Sequence, residues 1–373
     1  MTENSFDLLS PSIREKLANL NITVPTNVQN RLIPDIFSRK NVLFQSETGT
    51  GKTYAYLLPL IERLNKDTDK SSVKIIINAP TFELASQINL AAKAVTDRKT
   101  ALFIGGAPLK RQIETLKEKP QIVIGTPARL VELINLKKLK TGNVTAVIFD
   151  EADRLIKKEL IDATEALLKS MPENIQIIAC SATINSKVSS FFSFSESIVM
   201  PGEDVLKKRI THWAIYAEYR DKIDTLRKLL AAENPGKALI FTSRSDQVEN
   251  IYQKLRFKKV DCMALHAKAD KQLRKAAIDK FRSGKCRILI TSDLSARGLD
   301  IANVTHVIQM DLPHDEDFFI HRSGRTARAG KTGINILIGD EYEMHKFSVL
   351  EKKLGICVYP KEIINGKVIS PEI

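Results

Sequence analysis

The chain has 373 residues, too many for one average domain and suited to two, each large enough to bury a core without covalent staples. Its four cysteines, Cys180, Cys262, Cys286 and Cys357, form no CxxC pair or Cys/His cluster, which argues against disulfides or zinc and for reduced thiols in a cytoplasmic protein. The polar N-terminus MTENSFDLLS and the shortness of apolar runs such as YAYLLPLI exclude a signal peptide and a membrane partner. Net charge is +13; from Asp204 onward 31 Lys+Arg face 22 Asp+Glu, so the second part carries +9 and the first +4. Such a surplus suits a polyanion or, equally, a lysine-rich solubilising surface.

In chain order, the first part gives short apolar runs at 41–45, 74–79, 100–104, 121–125, 145–149 and 176–180, each followed by a turn and a helix-like segment. Runs without in/out alternation are what strands buried on both faces need, which predicts a parallel sheet covered by helices. MPGEDVLKKRI (200–210) is turn-rich and charged and reads as a break. The theme then restarts at 213–219, 237–243, 262–266, 286–292, 305–311 and 334–340. The expectation is an α/β protein of two tandem domains, 1–203 and 211–373, joined by a linker at 204–210.

SETGTGKT, Ser46 to Thr53, fits G-x-x-x-x-G-K-[ST] in a compact form and sits between a strand and a helix-like segment. Thr48, Gly49, Thr50 and Gly51 would let backbone N–H groups face phosphates, Lys52 would hold the β/γ-phosphates and Thr53 would ligate Mg²⁺. The plainer alternative is a glycine-rich turn with an incidental lysine. In VTAVIFDEADRL (144–155) an apolar ramp ends in Asp150, Glu151 and Asp153. Asp150 would serve the metal and Glu151 would deprotonate an attacking water. An N-cap role for Asp150 explains one carboxylate, not two adjacent ones matched to a phosphate loop.

With D-E-A-D at 150–153 and about ten motifs in order from Phe6 to Gly333, the chain resembles the DEAD-box ATP-dependent RNA helicases. That resemblance implies two RecA-like domains joined by a flexible linker, with ATP and RNA bound between them. NITVPTNVQ (21–29) is similar to the family's Q motif, implying that Gln29 reads adenine and that Phe6 stacks on it, although Phe6 alone reads as a hydrophobic anchor. Asn21 and Ile22 depart from that motif's glycine and aromatic. SAT at 181–183 implies coupling through Asp153, Ser181 and Thr183. FIHRSGRTARAG (319–330) implies arginine fingers at Arg325 and Arg328, supported by His321 and Arg322, with an RNA-phosphate patch as the alternative. SDLSARGLDI (292–301) implies a ribose contact from Asp300, and places Arg297 and Gly298 where the ATP and RNA sites meet.

The family grips one strand by its sugar–phosphate backbone, without reading sequence. PTFELASQ, IGGA, TPARL, LIFTSR and the stretch 274–293 resemble its RNA-contact motifs, so Thr81, Gly106, Thr126, Arg129, Arg244, Arg274 and Ser292 are the RNA-binding candidates; threonines and glycines at strand ends are also common turn residues. The departures fall mostly here: Phe82, Ala128 and Ala267 replace an arginine and two glycines, and Lys271 a glutamine. Loss of a guanidinium on phosphate at position 82 costs about 1.5–3 kcal/mol; Phe82 would instead stack on a base or pack inside. The expected function is an RNA-dependent ATPase, using ATP and Mg²⁺, that locally unwinds short duplexes. An ATP-gated RNA clamp shares the same residues, and a DNA helicase would not need Gln29. A monomer is expected, with targeting left to a protein partner, since little chain lies outside the two-domain core.

Overall fold

The computed structural model describes residues 4–46, 50–193, 198–200, 205–265, 271–293, 295–296, 301–328 and 331–371, with backbone alone at 198–200 and 271. The chain divides into two compact units, Met1–Glu203 and Asp204–Ile373.

In the first unit the strands are β1 (Val42–Gln45), β2 (Ile75–Asn78), β3 (Thr100–Phe103), β4 (Ile122–Gly125), β5 (Ala146–Asp150), β6 (Gln176–Ser181) and β7 (Ile198–Met200). They lie in the order β3-β4-β2-β5-β6-β1-β7, every neighbouring pair parallel. The apolar runs are uninterrupted because both faces are covered. Ile75, Ile77, Ile122, Ile124, Ile148 and Ile178 enter one core, while Ile76, Val123, Val147, Phe149 and Ala179 alternate with them into the other.

The second unit repeats the arrangement. Its strands β8 (Ile210–Tyr216), β9 (Ala238–Thr242), β10 (Met263–Leu265), β11 (Ile288–Ser292), β12 (His306–Gln309), β13 (Gly333–Gly339) and β14 (Val358–Pro360) are ordered β10-β11-β9-β12-β13-β8-β14, again all parallel. A short antiparallel pair, β15 (Glu362–Ile364) and β16 (Lys367–Ile369), follows. Part of the stretch read as a linker is regular structure: Val205–Lys208 is one helical turn with Val205 and Leu206 buried, and Ile210 already pairs in β8.

The parallel order decides where chemistry can sit. In the first unit β5, β6 and β1 are neighbours, so their carboxyl ends bring Asp150, Ser181 and Ser46 together. Ligand sites of open parallel sheets lie at that edge. In the second unit the carboxyl ends of β11, β9 and β12 gather Ser292, Thr242 and Gln309 in the same way.

Candidate nucleotide and RNA site

At the end of β1, Ser46 N–H donates to the Ser181 carbonyl at 2.8 Å, and the Ser46 and Thr50 hydroxyls hydrogen-bond across the loop that follows. Thr48 and Gly49 lie outside the described residues. Gly51 caps the helix Lys52–Lys66 with φ +87°, a left-handed conformation that glycine adopts without cost. A Cβ there would lie 2.5 Å from Gln29 Nε2, so the position excludes a side chain twice over. The helix begins at Lys52, which leaves its first N–H groups without helical partners and aimed at whatever the loop holds.

Asp150 is completely buried and takes hydrogen from four sides. Lys52 Nζ lies 3.2 Å from its Oδ1; the Cys180 thiol at 3.1 Å and the Glu151 N–H at 2.9 Å donate to that same oxygen, and the Tyr56 hydroxyl donates to Oδ2 at 2.9 Å. Burial opposes the charge on Lys52, yet the Asp150 carboxylate foremost, with Glu151, more than offsets it and holds the ammonium above its ordinary range. Burial and then the Asp150 carboxylate push the Tyr56 phenol and the Cys180 thiol well up, so both stand as neutral donors. Neither residue was singled out by the sequence. Tyr56 had a signal, one helical turn after Lys52 on the same face; Cys180 faces Asp150 only through the β5–β6 register.

Glu151 adopts φ 54°, ψ 55° and is 4% exposed. A non-glycine residue in this left-handed region is strained by about 1–2 kcal/mol, and here the strain turns the chain sharply out of β5. Its carboxylate is held by Arg154 at 2.7 Å, another partner that sequence reasoning missed. Asp153 is tied to the end of β6: the Ser181 hydroxyl donates to its Oδ1 at 2.7 Å, and its own N–H reaches Ser181 Oγ at 3.2 Å. Ser181 Oγ also lies 2.6 Å from the Thr183 carbonyl.

Gln29 is buried in a capping box with Thr26, accepting from Thr26 N–H at 2.9 Å, and its Nε2 donates to the Gly51 carbonyl at 3.0 Å. The helix Asn27–Phe37 is thereby bonded directly to the phosphate loop. Phe6 is 4% exposed and part of the core with Leu9 and Ile13, so its burial supports the anchoring role.

In the second unit Arg322 is the largest fully buried side chain, 1% exposed. Its Nε and Nη2 make a two-pronged pair with Asp293, both at 2.6 Å. Nη1 donates to the Asp311 carbonyl at 2.9 Å and Nη2 to Ser243 Oγ at 2.8 Å. Burial opposes both charges, but Asp293 and Asp311 raise the guanidinium, and Arg322, then Ser243 and Thr242, hold the Asp311 carboxyl below the usual carboxylate range. Arg322, expected with His321 to support the arginine fingers, thus spends its nitrogens inside its own unit. His321 is half-buried near the end of the helix Glu316–Ser323. Arg325 and Arg328 stand in the turn beyond it, Arg325 buried and Arg328 donating to the Gly324 carbonyl at 3.2 Å. Asp300, Arg297 and Gly298 lie outside the described residues.

Residues 26–191 match the DEAD/DEAH box helicase family, and 221–330 match the helicase conserved C-terminal domain. The DEAD-box ATP-dependent RNA helicase CshC of Bacillus cereus is 37% identical over 351 residues, covering 92% of this chain and 90% of that protein. CshB of Bacillus subtilis is 35% identical over 381 residues, covering 98% and 86%. Among solved structures, S. cerevisiae Dbp5 bound to RNA and ADP BeF3 is similar with TM-score 0.82, 26% identity and 96% of each chain covered. Mss116p bound to ssRNA and AMP-PNP gives TM-score 0.84 and 26% identity over 95% of this chain and 78% of that one.

The chain belongs to the DEAD/DEAH box helicase family. Its two sheets are the tandem RecA-like domains of that family.

The RNA-binding candidates of this helicase occupy loops, helix starts and, for Ser292, a strand end. Thr81 caps the helix Phe82–Val95, accepting from Leu84 N–H at 3.2 Å, and Phe82 is 42% exposed, which removes inward packing as its role. Thr126 precedes the helix Pro127–Asn135. Arg129, on that helix, pairs with Glu132 at 2.9 Å and donates to the Ala107 carbonyl at 3.2 Å, bracing the loop in which Gly106 has φ +76°. In the second unit, exposed Arg244 pairs with Asp246 at 2.6 Å. Arg274 donates to the Ser295 carbonyl at 2.9 Å, and Ser292, buried at the end of β11, meets Ser295 Oγ at 3.2 Å. Ser292 and Arg274 thus both brace the turn at Ser295, while Arg244 is held on the surface by Asp246. His266 and Ala267 lie outside the described residues, as does the Lys271 side chain.

Proposed function

We propose that this helicase is an RNA-dependent ATPase that hydrolyses ATP to ADP and phosphate and locally unwinds short RNA duplexes or remodels RNA–protein complexes. The observation that supports it most is Lys52 paired with a fully buried Asp150 beside the strained Glu151, at the adjoining ends of three parallel strands. Residues 1–203 would be the ATP-binding half and 211–373 the C-terminal half.

The Mg²⁺ of this reading suits the donor set: magnesium takes one or two carboxylates plus phosphates and keeps several waters, and among the described residues no group of three or more His, Cys, Asp or Glu competes as a full protein cage. Asp150 and Thr53 would hold it, and when bound it supplies charge neutralisation between the β- and γ-phosphates. Glu151 takes the proton of the attacking water, whose oxygen bonds the γ-phosphorus as the bond to the β-phosphate oxygen breaks. Lys52 holds the phosphates, while Arg325 and Arg328 neutralise the transferring group when ATP and RNA close the two domains together. Gln29 selects adenine. Asp153 passes the nucleotide state to Ser181 and Thr183, and the strand is gripped by its sugar–phosphate backbone, independent of sequence.

ATP hydrolysis measured without nucleic acid, with single-stranded RNA and with the matching DNA tests the reading. RNA stimulation well above that by DNA is expected; equal stimulation by DNA would overturn the RNA assignment. A short-duplex unwinding assay beside it separates a helicase from an ATP-gated clamp, which would bind RNA with ATP and release no strand.

A further inference from the structure

We infer that the second unit carries an additional single-stranded RNA site, which leads from the cavity that holds Arg244, between the helices Lys222–Glu233 and Ser245–Phe257, to the amino-terminal edge of β11. Two cavities, about 570 and 460 Å³, share Arg227 and Lys258 and so form one groove. One lies between the start of the helix Lys222–Glu233 and the end of the helix Ser245–Phe257; the other reaches Arg287 and Ile288, where β11 begins. Arg220, Ile223 and Lys254 also line the larger cavity that holds Arg244, so the groove begins beside it and ends at the amino-terminal edge of β11, opposite the edge at which Ser292 ends that strand.

Its charge is one-sided. The cationic lining is Arg220, Arg227, Lys254, Lys258, Lys285 and Arg287, against two acids, Asp224 and Asp261. Both acids are already neutralised within the unit, Asp224 by Arg227 and Lys228 and Asp261 by Arg256. Phe257 stands on the rim 83% exposed, with the Lys258 ammonium 5.8 Å from its ring centre. A protruding ring interleaved with cations (Lys254, Arg256, Phe257, Lys258, Lys259) supplies what an unpaired strand requires, a surface on which a base stacks and charges along which phosphates run. An acidic peptide would use the cations but leave the exposed Phe257 ring without a stacking partner.

The site rests on the RNA reading but is tested apart from it. Binding of a short oligouridylate and of one roughly three times longer is compared by fluorescence anisotropy over a salt series, for the wild type and for Lys258→Glu/Lys285→Glu and Phe257→Ala. The wild type on the short oligomer reports the core RNA reading alone. If the groove binds RNA, both variants keep short-oligomer affinity, while the double variant loses about tenfold on the long one and its salt slope falls by about 1.4, two contacts at roughly 0.7 each. Unchanged long-oligomer affinity, or equal loss on both lengths, would overturn the site. So would a wild type that prefers an acidic peptide to the long RNA in competition.

Discussion

The two units build polar centres at the same edge of the same kind of sheet and use them in opposite ways. In the first, a buried acid, Asp150, is surrounded by donors from the helix Lys52–Lys66, from β6 and from its own turn, beside a strained Glu151. In the second, a buried cation, Arg322, is surrounded by acceptors from the ends of β9, β11 and β12. Among the described residues, Oδ1 of Asp150 has three donors and Oδ2 one, the Tyr56 hydroxyl, so Oδ1 is the more heavily anchored oxygen. Arg322 bonds through Nε, Nη1 and Nη2 to its own unit. One centre is the proposed ligand site, and the other holds strand ends together.

The contrast breaks most visibly at Arg322. Replacement by alanine leaves Asp293 and Asp311 without their cation and should destabilise the second unit by about 3–5 kcal/mol, read as a lowered midpoint in urea. Lysine should not rescue it, because an ammonium cannot reproduce the two-pronged pair. Acid should act on the same centre. Because Asp311 titrates below its unfolded value, its contribution is present above the ordinary carboxylate range and lost as pH falls through its depressed folded value. The denaturation midpoint of Asp311→Asn should therefore fall less steeply below pH ~4 than that of the wild type. The smallest effect is expected in the first unit. Tyr56→Phe removes one donor from Asp150 and should cost about 1 kcal/mol. It should also raise severalfold the Mg²⁺ concentration needed for half-maximal binding of a fluorescent ADP analogue; an unchanged Mg²⁺ dependence would mean that the hydroxyl does not orient the carboxylate.

The strands inside each sheet were legible because burial on both faces writes itself as unbroken β-branched runs: the runs at 74–79, 121–125 and 176–180 contain β2, β4 and most of β6. The three-residue strands β7, β14, β15 and β16 left no comparable signature. The strand read at 213–219 starts at Ile210 because pairing with β13 extends it into the charged stretch. Motif residues such as Lys52, Asp150 and Ser181 could be found one by one, since their chemistry is local. Their partners could not. Cys180 on Asp150, and Asp293 and Asp311 on Arg322, depend on register and on loop paths that letters do not display; the exception is Arg154, only three residues from Glu151 and so within reach of a spacing argument.

The central claim, that Asp150 serves the metal while Glu151 handles water, is tested most directly by Glu151→Gln. Amide for carboxylate keeps size and hydrogen bonding but removes the base, so hydrolysis should fall by about 10²–10⁴ while ATP-dependent binding of single-stranded RNA persists at the wild-type level. Loss of nucleotide binding in that variant, or hydrolysis at the wild-type rate, would contradict the assignment.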